Sequence, residues 1–166
     1  MFKTTHIGLK SIKATAMTRA AYNEYRGWAL PANERGDDAG YLVEYEPRVG
    51  EESNVKGHDG YVSWSPEQVF ADAYRDLHGN LPFGLALELA KQGRSIARRG
   101  WNGKGLKVAV HQPTEGSDMT LPYLYMQYPT TPASDSAPIS HINANVPWLA
   151  SQTDLLSSDW YVVEEN

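Results

Sequence analysis

The sequence predicts an α+β fold in two small domains, the second a short helix packed on an antiparallel sheet. Three observations predict it. Short runs with period-two alternation recur in both halves, as in Leu9 to Met17 and Tyr123-Leu124-Tyr125-Met126-Gln127-Tyr128. Windows with helical spacing are few and brief. Mid-chain, His78-Gly79-Asn80-Leu81-Pro82 carries turn and breaker chemistry, which sets the domains at residues 1–79 and 80–166.

In the first half, Leu9 to Met17 reads as a strand. Thr18 suits an N-cap, and the helix it opens runs from Arg19 to Tyr25, ending at Arg26-Gly27. An acidic loop, Pro31 to Gly40, precedes the strand Tyr41 to Tyr45. A polar loop, Pro47 to Gly60, leads to the strand Tyr61 to Trp64, and the two strands form a hairpin. Ser65 and Pro66 suit the start of a helix reaching Leu77, with the acids nearby at its positive end. Val69, Phe70, Ala73, Tyr74 and Leu77 recur three and four residues apart, which predicts one buried face.

In the second half, Pro82 opens a helix with Phe83, Ala86, Leu87 and Ala90 on one face, and Gly93 supplies a left-handed cap. Ser95 to Arg98 is a short strand, Arg99 to Gly105 a turn, and Leu106 to His111 and Tyr123 to Tyr128 are strands. Pro129 to Ile142 reads as an exposed loop. Val146 to Leu149 enters a capped turn at Ser151 to Leu156, and Trp160 to Glu164 is the last strand.

Composition narrows the function. Aliphatic and aromatic residues are 41% and charged residues 21% of the 166, a soluble globular balance. No apolar run approaches the ~20 residues of a membrane span. The N-terminus, Met1 to His6, lacks a signal segment, so a cytoplasmic location and no membrane partner are expected. Cysteine is absent, which removes disulfides, thiolate metal sites and thiol nucleophiles. A net charge of −5 argues against nucleic acid as a partner but leaves room for a small anion held by a few local donors. Five Trp and ten Tyr against three Phe suit surfaces that stack on a ligand or partner, or half-exposed strands.

Two clusters carry candidate chemistry. In Arg98-Arg99-Gly100-Trp101-Asn102-Gly103-Lys104-Gly105, glycines let backbone N–H groups approach a ligand. Arg99 and Lys104 suit a pyrophosphate, Trp101 can stack on a purine, and Asn102 can bond a base edge or ribose hydroxyl. The same residues also describe a glycine-rich turn with solvated charges and a half-buried Trp. In the second, Trp148 precedes Ser151-Gln152-Thr153-Asp154. Ser151 and Asp154 form a capping-box pattern with Asp in place of Glu. The short helix they open points free N–H groups at an anion or carbonyl, and Gln152, Thr153 and Asp154 suit hydroxyls and base nitrogens. The alternative is one capped turn with Trp148 and Trp160 in the core.

No catalytic or metal site is expected. His6, His58, His78, His111 and His141 are scattered, with none at metal-ligand spacing. No Ser has a nucleophile setting. Asp37-Asp38 and Glu51-Glu52 read as solvated surface.

Arg99-Gly100-Trp101-Asn102-Gly103-Lys104, Met119 to Met126, and Val146 to Leu156 before Asp159-Trp160 follow one another in an order that resembles the Thoeris anti-defence protein two family, over roughly Leu81 to Glu165. The resemblance implies a phage anti-defence protein that binds a nucleotide signal without destroying it. That signal is glycocyclic ADP-ribose from bacterial TIR-domain enzymes, with cyclic dinucleotides at a separate site in some relatives. It also implies a homotetramer with pockets between protomers, no cofactor, and action in the cytoplasm of an infected bacterium. The ligand residues it implies are Arg99, Trp101, Asn102, Lys104, Trp148, Ser151, Gln152, Thr153 and Asp154. The stretch from Tyr128 to Asn145 is longer than in the family, and is expected to shape the pocket, extend the tetramer contact or block one site. The first half resembles a phage-associated domain of no known activity, through Lys13 to Arg19, Tyr25 to Trp28, Glu44-Tyr45 and Ser63 to Pro66. Competing functions are a nucleotide-cleaving enzyme and a phage structural or interaction protein.

Overall fold

The computed structural model describes residues 8–129 and 144–164. The chain divides into two compact units, Met1–Tyr74 and Arg75–Asn166. Both are small mixtures of helix and antiparallel sheet, the α+β class.

The first unit contains β1 (Ile12–Ala16), α1 (Arg19–Arg26), β2 (Gly40–Tyr45), β3 (Val62–Pro66) and α2 (Glu67–Ala73). The strands form one antiparallel sheet with β2 at its centre. Thr18 caps α1 by accepting from the Ala21 N–H at 3.3 Å. Tyr22, Leu42 and Val62 form the buried core, with Met17, Val55 and Trp64 packed against it.

Two expectations fail here. The first strand is shorter than Leu9 to Met17. The helix expected to reach Leu77 ends at Ala73, and none of its residues is buried. Phe70 does stack on Tyr41, with ring centroids 4.0 Å apart, but Val69 is exposed. The apolar periodicity misled because Leu77 serves a different core. The chain turns extended at Tyr74 (φ −121°, ψ 153°), and Leu77 packs in the second unit.

The second unit contains α3 (Phe83–Lys91), β4 (Ile96–Arg98), β5 (Lys107–His111), β6 (Tyr123–Gln127), β7 (Asn145–Pro147), α4 (Gln152–Leu156) and β8 (Trp160–Val162). One antiparallel sheet runs β7-β6-β5-β4-β8. Pro82 opens α3, and Gly93 follows its end at φ +91°. The core gathers Leu81, Phe83, Ala86, Ala90, Ile96, Val108, Trp160 and Val162 between α3 and one sheet face. Leu81 and Trp160 exchange backbone hydrogen bonds, which ties the start of the unit to its last strand.

The sheet has a fifth strand where four were expected. Asn145–Pro147 pairs with β6 at the sheet edge. Proline obscured it, since Pro removes a ladder donor and is tolerated only at such an edge. The loop expected over Pro129 to Ile142, and most of the long Tyr128 to Asn145 stretch, fall on residues 130–143, outside the described residues. The same holds for the expectation about Met1 to His6. Among the described residues no helix is long and apolar enough to cross a membrane.

Candidate functional site

The site is built on one guanidinium. Alternation along β4 puts Arg98 on the same sheet face as Ile96, which is wholly buried. A cation aimed inward there needs carboxylates. Asp159, at the mouth of β8, accepts from Arg98 Nε at 2.7 Å and Nη2 at 3.3 Å. Asp154, in α4, accepts from Arg98 Nη1 at 2.7 Å. The three residues thereby pin the β4 end, the start of β8 and the first turn of α4 to one another.

Asp154 is the most heavily used side chain of the site. Its Oδ1 also accepts from the Trp101 indole N–H at 3.0 Å. Its Oδ2 accepts from the Ser151 backbone N–H at 3.0 Å and the Ser151 hydroxyl at 2.7 Å. The Ser151 hydroxyl in turn accepts from the Asp154 backbone N–H, which completes the capping box the sequence suggested. Burial pushes the Asp154 carboxyl up. The bonds from Ser151, Arg98 and Trp101 together outweigh it and hold the group at about 2. Arg98 also holds Asp159 below the usual carboxylate range.

An indole cluster stands beside this network. Trp101 meets Trp160 edge-on at 5.3 Å and Trp148 at 6.0 Å between ring centroids, and Trp148 meets Trp160 at 6.0 Å. The Trp160 indole N–H donates to the Asp154 carbonyl at 3.0 Å. Trp101 and Trp148 are half-buried against the core. The residues of its own turn are exposed, and the rings that pack against Trp101 come from distant parts of the chain. Gly100 lets the turn close on Asp159: its N–H donates to Oδ2 at 2.9 Å, and an added Cβ would stand 2.8 Å from that atom.

The structure thus brings Trp101, Trp148, Ser151 and Asp154 together, and adds Arg98 and Asp159, which were not singled out. Their signal was present: one inward cation on a strand, followed by two carboxylates in the six residues before Trp160. Arg99, Asn102, Lys104, Gln152 and Thr153 remain exposed. Arg99 donates to the His78 carbonyl and lies 5.0 Å over the Tyr161 ring. The Thr153 hydroxyl lies 2.8 Å from that of Ser151. Asn102 and Lys104 have no hydrogen bond or ion pair among the described residues.

Two concave sites of the unit are lined by other residues. One, of about 520 Å³, is bordered by His78, Arg94, Ser95, Val163 and Glu164. The other, of about 120 Å³, is bordered by His111, Tyr123, Tyr125 and Pro147 on the sheet. Among the described residues no group of three or more His, Asp or Glu is placed to hold a metal ion.

The Asp154 carboxyl makes stability depend on acid. Its folded value of about 2 lies below the ordinary 3.8, so its contribution is full above the ordinary value and is lost as pH falls toward 2. The loss is expected to be roughly 2 kcal/mol. Urea unfolding between neutral pH and pH 2 should show it as a decline that Asp154→Asn lacks. An equal decline in both proteins would show that the acid dependence arises elsewhere.

Comparison with known proteins places this unit. Residues 81–163 match the Thoeris anti-defense 2-like domain family. A curated relative, Thoeris anti-defense 2 of Bacillus phage SP01, is 31% identical over 85 residues, 50% of this chain and 94% of the relative. The matched family residues run from the bridge at Leu81 through the end of β8.

Proposed function

Because the chain belongs to the Thoeris anti-defense 2-like family through residues 81–163, we propose that it counters Thoeris defence by sequestering a TIR-derived cyclic nucleotide without cleaving it. Glycocyclic ADP-ribose is the first ligand, and cyclic dinucleotides are a second class. Residues 80–166 carry the activity and residues 1–79 are accessory.

The observation that carries this reading is the family match over residues 81–163, a span that takes in every element from α3 to β8. The geometry supports it. Arg99, Asn102 and Lys104 project from the turn that holds Trp101, and Gln152 and Thr153 from the helix that holds Asp154. One rigid network thus presents cationic and amide donors suited to phosphate and ribose. In this proposal Trp101, Trp148, Ser151 and Asp154 shape the binding surface, and the exposed residues grip the ligand. Asp154 and Asp159 are committed to Arg98, which leaves neither free as a general base and favours binding over cleavage. The exposed Leu149, Leu155 and Leu156 around α4 offer apolar surface for subunit contact, in keeping with a homotetramer acting in the host cytoplasm.

Thermal unfolding with and without glycocyclic ADP-ribose tests the proposal. A ligand at a hundred times its Kd should stabilise the protein by about 2.7 kcal/mol. Heat-denaturing the complex should return the nucleotide intact. A cleaved product would make the protein an enzyme. No stabilisation by glycocyclic ADP-ribose or cyclic dinucleotides would favour a structural or interaction role.

A further inference from the structure

The first unit holds a hydrogen-bonded relay that the proposed nucleotide binding does not use. Glu44 lies on β2 and is buried. Its Oε1 accepts from the backbone N–H groups of Asp59 at 2.9 Å and Gly60 at 3.2 Å. Its Oε2 lies 3.0 Å from His58 Nδ1. On the far side of the imidazole, His58 Nε2 lies 2.7 Å from the phenol oxygen of Tyr25. Tyr25 sits in the last turn of α1, exposed to solvent. Lys13 Nζ approaches the outer side, 3.8 Å from Glu44 Oε1 and 3.4 Å from Asp59 Oδ2.

The chemistry of these partners sets the direction of the protons. The hydrogen bond from His58, followed by those from Asp59 and Gly60, holds the Glu44 carboxyl at about 2 despite burial, so it is ionised at neutral pH. A carboxylate only accepts, so neutral His58 carries its proton on Nδ1. Nε2 is then a bare lone pair, and the Tyr25 hydroxyl donates to it. This is the arrangement of a hydroxyl nucleophile, a base and an orienting carboxylate, assembled with tyrosine. The His58–Gly60 loop is held against β2 by glycine: a Cβ on Gly60 would stand 1.8 Å from the Tyr45 carbonyl oxygen.

We propose that Tyr25 is an activated phenol that accepts an acyl group from an activated ester, with His58 as its base and Glu44 as a positioning residue. As the Tyr25 oxygen bonds to the ester carbonyl carbon, its proton passes to His58 Nε2. The ester's alkoxide or phenoxide leaves and takes that proton, which gives acyl-tyrosine, a free alcohol or phenol, and neutral His58. Water then hydrolyses the tyrosyl ester, or the acyl group stays as a modification. The inference does not depend on the reading of the second unit.

Acetylation of the full chain by p-nitrophenyl acetate at neutral pH tests it. Peptide mapping compares Tyr25, 46% exposed, with Tyr61, 58% exposed, so exposure alone favours the control. Release of p-nitrophenol is followed in parallel to catch an ester that hydrolyses quickly. Tyr25 should react on the order of a hundredfold faster, the low end of what a positioned general base contributes. His58→Gln should bring it to the Tyr61 rate. Glu44→Gln should do the same for a different reason. Its amide oxygen must face the Asp59 and Gly60 N–H groups, so its NH2 donates to Nδ1 and moves the imidazole proton to Nε2. Nitrogen-15 spectra should show that tautomer reversal, which loss of packing alone does not produce. Equal rates at Tyr25 and Tyr61 in the unaltered chain, with no excess p-nitrophenol release, overturn the proposal without recourse to a variant. An unchanged Tyr25 rate in Glu44→Gln overturns the role given to Glu44.

Discussion

Replacing Asp154 by alanine is expected to destabilise the second unit by about 3 kcal/mol, the lower end for breaking a buried ion pair. Four donors converge on this carboxylate: the Arg98 guanidinium, the Trp101 indole, and the Ser151 backbone and hydroxyl. Removing it leaves the indole and the Ser151 N–H unpaired and takes the return bond out of the capping box of α4, although the Ser151 hydroxyl still accepts from the backbone N–H of residue 154. Arg98 keeps Asp159, which is why the loss is not larger. Asparagine should rescue little. Both oxygens face donors only, so an amide turns its own N–H groups against one pair of them. Thermal unfolding of the intact chain is the measurement, with a fall of roughly 10 °C or more in the transition that melts the second unit. A change below 1 kcal/mol would mean the network is surface decoration.

Trp101→Ala is expected to cost about 3 kcal/mol, the low end for a truncated indole because the ring is half-buried. The ring packs edge-on against Trp148 and Trp160, and its N–H satisfies Asp154. A variant that loses nucleotide binding would therefore be ambiguous between lost stacking and a loosened site. Trp101→Phe separates the two. It retains most of the packing, loses one hydrogen bond worth about 1 kcal/mol, and keeps an aromatic face for a base. If Trp101 stacks on the ligand, Phe should bind within about tenfold of the parent while Ala is at least tenfold weaker than Phe. Binding by the alanine variant at the parental level would remove Trp101 from the proposed ligand surface. An alanine variant that also melts like the parent would remove it from the core.

Local chemistry determined much of this protein from its sequence. Thr18 and Ser151 cap helices because a hydroxyl ahead of a helix meets its unpaired N–H groups. The runs at Tyr41 to Tyr45 and Tyr123 to Gln127 are strands, rich in the β-branched and aromatic residues that suit a pleated sheet, although burial alternates along neither of them. The motifs from Arg99 to Lys104 and from Trp148 to Asp154 carried the family resemblance in the same way, through residue order alone. Tertiary structure decided what those motifs do for one another. Arg98 reads in sequence as one more cation in a basic turn, and becomes the centre of the site only when β8 and α4 bring Asp159 and Asp154 to it. His58 looks isolated until β2 and α1 place Glu44 and Tyr25 on its two nitrogens. Leu77 continues a helical pattern but belongs to another core. The physical reason is common to all three. Capping and alternation act between residues a few positions apart, where sequence spacing is distance in space. The ion pairs and the relay join residues 14 to 61 positions apart, and only the closed chain sets those distances.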